Sequence, residues 1–224
     1  MDISLTPRGG VHIEGFPDAV KVIALAPASS RETCDLALHI QDLDFAMNCL
    51  AAINGQTEWL LREALWRSAI VHFFKCFGDS VRSRLLPEKV YSGDPEGLEV
   101  FRYFRDLRNK HFVHDENLYA HCVGGAILNR QSMDHKIAKV VSLALRGETL
   151  DQEHWSNLRL LVERARSWVT TQYELVCSRV AEELEAETYE VLDGREGIVP
   201  RIPGLDRARF LGQERVLIMP HARR

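Results

Sequence analysis

A chain of 224 residues is long enough for one well-buried domain, or one domain with arms. Its composition, 46% hydrophobic and 27% charged, is that of an ordinary globular protein, and a net charge of −4 excludes the global basic field of a dedicated duplex-DNA binder while leaving room for a local basic patch. No apolar run reaches the roughly 18 residues of a membrane span. The N-terminus has no basic leader before an apolar segment. Five scattered cysteines (Cys34, Cys49, Cys76, Cys122 and Cys177) without a CxxC read as reduced thiols, so the expected compartment is the cytoplasm.

Residues 1–28 contain Gly9-Gly10, Pro17 and Pro27 with two β-like runs, 10–13 and 20–25, and predict an extended N-terminal arm or a pair of short edge strands. Ser29 with Glu32 has the spacing of a capping box. Leu36, Ile40, Leu43, Met47 and Leu50 then recur at helical spacing up to Asn54-Gly55. A second helix carries Leu61, Leu65, Ala69, Phe73 and Phe77, flanked by Trp59, Trp66 and Ile70, before Gly78-Asp79. Its aromatic stripe (Trp59, Trp66, Phe73, Phe74, Phe77) reads as core and not as a platform for stacking bases. Asp94-Pro95-Glu96 opens a third helix, with Asp as cap and Pro where its missing amide costs nothing. Val100, Phe104 and Leu107 line one face, and the same spacing carries that face on to His111 and His114.

Between about 118 and 146 the period changes to that of a β-hairpin, although the second run, 136–145, also fits a helix. Gly124-Gly125 lies in the first run without a GxGxxG or Walker pattern, which points to a bulge or a close strand crossing. Thr149 with Gln152 is a further capping box, opening a last helix with Trp155, Leu158, Val162, Ala165, Val169, Val176, Val180 and Leu184 that ends near Gly194. Residues 195–224 form an Arg-rich extended tail, in which Val216–Met219 has the pattern of a strand to pair with the N-terminal arm. The expected fold is mainly α: a bundle of four long helices over 29–194 with an inserted hairpin and extended terminal arms.

The segment Leu107-Arg108-Asn109-Lys110-His111-Phe112-Val113-His114-Asp115 carries the chemistry. Arg supplies permanent donors for a phosphate, and His exchanges protons near neutral pH. RNA cleavage through its own 2′-hydroxyl requires a base at that oxygen, a proton for the leaving 5′-oxygen and positive donors on the phosphate. His114 suits the base or the acid, Arg108 the phosphate, and Asn109 either a phosphate oxygen or the orientation of the histidine. His111, one turn earlier, is a second acid–base candidate. Arg102, Arg105 and Lys110 add positive charge along the same helix and suit an RNA-tracking strip. A structural reading competes: Arg108 pairs with Asp106 or Asp115, His114 caps the last carbonyls, and His111 packs. A metal reading would join His111, His114 and Asp115 to His121 and Cys122.

The Arg108-Asn109…His114 run, with five residues between Arg and His at the end of a helix, resembles the HEPN superfamily of small helical bundles. The wording is similar to an RNKHxxH variant of that motif. The resemblance implies a metal-independent endoribonuclease of toxin or defence type, with no cofactor, that leaves a 2′,3′-cyclic phosphate. It also implies a homodimer that pairs two motifs across one cleft, an RNA substrate or bound nucleotide, and an antitoxin protein as a possible partner. Six positions along a helix rotate by about 240° and rise roughly 9 Å. Arg108 and His114 therefore do not share a face, and one chain presents only a stretched half-site. Two alternatives stand beside the nuclease: a non-catalytic HEPN-like nucleotide-binding or dimerisation scaffold, and a structural interaction protein whose long helices and Arg-rich tail bind a protein partner. The tail suits either nucleic acid or, in preference, the acidic run Glu182-Glu183-Glu185-Glu187 of a partner subunit.

Overall fold

A computed structural model describes residues 3–5, 11–13, 15–113 and 120–198, with side chains outside the description at 3–5, 11–13, 111–113, 120–121 and 145–146. The chain is mainly helical. In order it forms β1 (Ile3–Leu5), β2 (Val11–Ile13), α1 (Pro27–Ala52), α2 (Trp59–Lys75), the short α3 (Pro87–Val90), α4 (Pro95–Leu107), a π-helical turn (Arg108–Val113), β3 (Ala120–Leu128), β4 (Ile137–Arg146), α5 (Gln152–Glu185) and α6 (Tyr189–Gly194). Among the described residues no helix is long and apolar enough to cross a membrane, and all five cysteines are free thiols. The chain divides into two compact units, one of residues 35–173 and one of residues 1–34 with 174–224.

The core of the first unit is contributed by the apolar stripes of four helices: Leu43, Ala46 and Leu50 of α1; Trp66, Ala69, Ile70 and Phe73 of α2; Phe101, Phe104 and Leu107 of α4; Leu158, Val162, Ala165 and Val169 of α5. Large buried side chains such as Trp66 and Phe104 each contribute about 1.5–3 kcal/mol of apolar transfer energy. Their polar ends find partners, as burial requires. The Trp66 indole donates to Thr149 Oγ1 at 3.2 Å, the Tyr91 hydroxyl to the Leu161 carbonyl at 3.0 Å, and the Trp155 indole to the Leu50 carbonyl at 3.1 Å. Trp59 and Leu61, expected in the α2 stripe, are instead exposed at 72% and 52%. They occupy the first turn of the helix.

The helix ends correct three expectations. α1 begins at Pro27, so Ser29 lies inside the first turn and its box with Glu32 does not form. Pro fits there because the first amides of a helix have no intrahelical acceptor. α5 begins at Gln152 with Asp151 taking the capping role, Oδ1 accepting from the His154 amide at 2.7 Å. The Thr149 hydroxyl is engaged by Trp66 instead. α5 also stops at Glu185, and a separate α6 follows, capped by Thr188. The third-helix signal is correct: Asp94 Oδ1 accepts from the Gly97 amide at 2.8 Å and Pro95 opens α4. Gly93, at φ +78°, makes the left-handed turn into that cap.

β3 and β4 form the expected antiparallel hairpin, so the second run is a strand. Gly124 and Gly125 pair regularly with Ser142 and Val141, and the irregularity falls at Ile127/Leu128 instead. Val123, Ile127, Leu128, Ile137, Val140 and Leu143 are all exposed on this hairpin. Alternation places Val123 and Leu143 on one face and Leu128 and Val140 on the other, so both faces are apolar. A hairpin of two strands with uncovered faces has little stability alone.

In the second unit β1 pairs with β2, Ile23 bridges to Gly197, and the Ile198 amide donates to the Val22 carbonyl at 2.7 Å. Arg179 bonds Glu32 at 2.5 Å and Arg195 bonds Glu187 at 2.5 Å. The acidic run is thus met by the first arginine of the tail within the same chain. Residues 199–224, including Val216–Met219, lie outside the described residues.

Candidate functional site

At the end of α4 the backbone widens from an α- to a π-helical turn over Arg108–Val113. Such turns insert a residue into the ladder and shift the face that follows, and they are frequent at functional positions. The continuation of the Val100–Phe104–Leu107 stripe to His111 at unbroken α spacing is therefore corrected. Arg108, expected to point away from the core, is half-buried. Its Nη1 donates to Asn109 Oδ1 at 2.8 Å, and its buried Nε has no hydrogen-bond partner among the described residues. A buried donor without an acceptor costs about 1–3 kcal/mol.

Arg108 and Asn109 line a cavity of about 310 Å³ together with Arg84, Arg105 and Glu88 over an apolar floor that includes Phe74, Phe77 and Phe101. Three guanidinium groups thus stand against one carboxylate. Arg84 pairs with Asp79 at 2.8 Å and Arg105 with Asp106 at 3.8 Å, but all four side chains are at least half exposed. Exposed pairs of this kind are worth about 0–1 kcal/mol, so neither arginine is committed to its partner. The expected pairing of Arg108 with Asp106 is not formed among these residues: Asp106 lies 3.8 Å from Arg105 and 3.7 Å from Lys110.

Arg84 is placed by a polar stripe on α1. Asp35, His39 and Asp42, at helical spacing, are all buried. Asp35 Oδ2 accepts from the Ser83 amide at 2.9 Å, and His39 Nε2 lies 2.8 Å from the Ser83 carbonyl. That carbonyl accepts only, so Nε2 carries the proton and the bare nitrogen is Nδ1, which has no partner among the described residues. Burial holds the His39 imidazole below its ordinary value of 6.5. Asp42 accepts from Lys75 (2.9 Å), from His72 (2.9 Å) and from Arg82 (2.6 Å). Burial opposes its ionisation, but the hydrogen bonds from Lys75, Arg82 and His72 prevail and hold it below 3.8. The Leu85 amide donates to the Cys76 carbonyl at 2.9 Å. Arg84 is therefore flanked on both sides by anchored residues. The Cys76 thiol beneath the loop is pushed up to about 12 by desolvation, which makes it an inert core thiol.

Of the site residues read from the sequence, Arg105, Arg108 and Asn109 come together at the cavity. Arg102 and Lys110 are exposed on the same segment and do not line it. His111 lies in the π-turn with its side chain outside the description, and His114 and Asp115 are outside the described residues. No group of three His, Cys, Asp or Glu side chains capable of holding a metal occurs among the described residues. Arg84 was not anticipated, nor was the stripe that holds it. The signal was present as Asp35-x3-His39-x2-Asp42, three polar residues beside the apolar stripe of α1. No family model, curated protein or solved structure matches this chain.

Proposed function

We propose that the chain is a HEPN-like, metal-independent endoribonuclease of toxin or defence type, acting in the cytoplasm as a homodimer. Its frame is a bundle of four long helices, α1, α2, α4 and α5, with the hairpin inserted between the last two. The 2′-oxygen of RNA attacks the adjacent phosphorus, the bond to the 5′-oxygen breaks, and a 2′,3′-cyclic phosphate and a 5′-hydroxyl result. His114 removes the 2′-hydroxyl proton or delivers one to the leaving oxygen. Arg108 neutralises the charge that builds on the phosphate. Asn109 donates to a phosphate oxygen, because its side-chain oxygen is already taken by Arg108. His111 is the second acid–base candidate.

The observation that carries this reading is the meeting of Arg108 and Asn109 with Arg84 and Arg105 at one cavity. The two uncovered apolar faces of the hairpin support a dimer. A second reading, a non-catalytic nucleotide-binding or scaffold module, is favoured by the fact that the arginine-lined cavity needs no histidine to bind an anion. An assay of RNA cleavage in EDTA, wild type against His114→Ala, separates the two. Cleavage that the substitution abolishes supports the nuclease. No cleavage by the wild type, or equal cleavage by both, removes it.

A further inference from the structure

We propose that Arg84 and Arg105 form a second phosphate subsite, which holds the phosphate of single-stranded RNA next to the one bound at Arg108. This rests on the nuclease reading and adds to it a separate anchor for the substrate strand. Arg84, Arg105 and Arg108 come from two distant stretches of chain, the loop after α2 and the end of α4, yet line one cavity with Asn109. At about 310 Å³ the cavity is at the lower end of the range for small-ligand sites, so it holds little more than one nucleotide unit.

The loop carrying Arg84 is held in place. Ser83 is gripped through both its amide and its carbonyl by Asp35 and His39, Arg82 is bound by Asp42, and Leu85 is tied to Cys76. Buried polar groups are thus devoted to fixing the backbone on either side of an arginine whose own side chain is 53% exposed and, among the described residues, paired to an exposed Asp79. A guanidinium carried on an anchored backbone beside two others suits bidentate bonding to phosphate oxygens. Glu88 lines the same cavity and offsets one of the three guanidinium charges, leaving a net positive lining. The apolar floor suits a sugar or base edge better than a run of carboxylates.

The test is equilibrium binding of a fluorescent, single-stranded 2′-O-methyl RNA to the full chain in EDTA across a salt series. The blocked 2′-oxygen prevents cleavage, so binding is read whether or not the chain is a nuclease. Arg84→Gln combined with Arg105→Gln is expected to weaken binding at least tenfold. It should also lower the slope of log affinity against log salt by about 0.7, the value for one neutralised phosphate on a single strand. Arg84→Lys with Arg105→Lys retains the charge and is expected to restore the slope, which separates loss of the subsite from loss of the fold. Removing two lysines of the hairpin, Lys136→Gln with Lys139→Gln, is expected to change affinity by no more than about twofold. Four results would each overturn the proposal: no binding by the wild type, an unchanged affinity and slope in the Gln double variant, an equal loss in the hairpin variant, or equal arginine-dependent binding of a polyglutamate peptide. Arginine-dependent binding by a chain that cleaves no RNA would sink the nuclease reading and leave the subsite standing.

Discussion

Arg108 donates through Nη1 to the side-chain oxygen of Asn109 at 2.8 Å, so two neighbouring residues form one donor unit whose remaining polar hydrogens belong to a guanidinium and an amide nitrogen. Replacing the amide by a carboxylate, Asn109→Asp, would keep the bond to Arg108 and remove the amide donor while adding a negative charge. We expect RNA cleavage to fall by about a hundredfold or more, the scale of losing one transition-state donor. Thermal stability should change little, because the replacement is nearly isosteric. Initial rates beside a thermal melt check both statements.

Asp42 gathers His72, Lys75 and Arg82, and of these partners Arg82 is the most buried, with 11% of its side chain exposed. Asp42→Ala strands that guanidinium and removes one of the anchors of the loop that bears Arg84, leaving those from Asp35, His39 and Cys76. The expected loss is about 1.5–3 kcal/mol of unfolding free energy by urea denaturation, the range for hydrogen bonds to charged groups. Because the folded carboxyl lies below 3.8, its contribution is complete above that pH and is lost as pH falls through the folded value.

His39 is kept neutral by burial, opposed by its bond to Ser83, with Arg82 also lowering its value and Asp35 and Asp42 raising it. Its folded value lies below 6.5, so the unfolded chain binds the extra proton first. Stability from this group is complete above pH 6.5 and declines as pH falls towards the folded value. His39→Gln is expected to flatten the pH dependence of the urea midpoint below pH 6.5, while other acid-side titrations persist. An unchanged pH profile in the variant would show that His39 does not drive it.

What was legible in the sequence followed from how local each signal is. Asp94 and Pro95 were readable because a cap and a first-turn proline are satisfied by residues two or three positions away. Ser29 and Thr149 had equally good spacing and did not cap. The Thr149 hydroxyl is engaged by an indole 83 residues distant, which no local pattern encodes. The hairpin could be read from alternation, but the exposure of both its faces could not. At the site, Arg108 and Asn109 were found from a motif at a helix end. Arg84 reaches them through a loop whose position depends on Asp35, His39 and Asp42, residues 42–49 positions upstream.

The hairpin faces bear on the proposed dimer. Val140→Lys with Leu143→Lys places one charge on each exposed apolar face without touching the helical core. Sedimentation should show the wild type at twice the 25.5 kDa chain mass and the variant at the chain mass, with helical circular dichroism unchanged. Cleavage should fall with the dimer. A wild-type monomer that cleaves RNA would break the link between assembly and activity.

The most direct measurement is the product of RNA incubated with the purified chain in EDTA, compared with Arg108→Ala and His114→Ala. The account predicts fragments ending in 2′,3′-cyclic phosphate from the wild type and a rate at least a hundredfold lower from each variant. Absence of cleavage by the wild type, or cleavage that persists equally when Arg108 and His114 are removed, would contradict it.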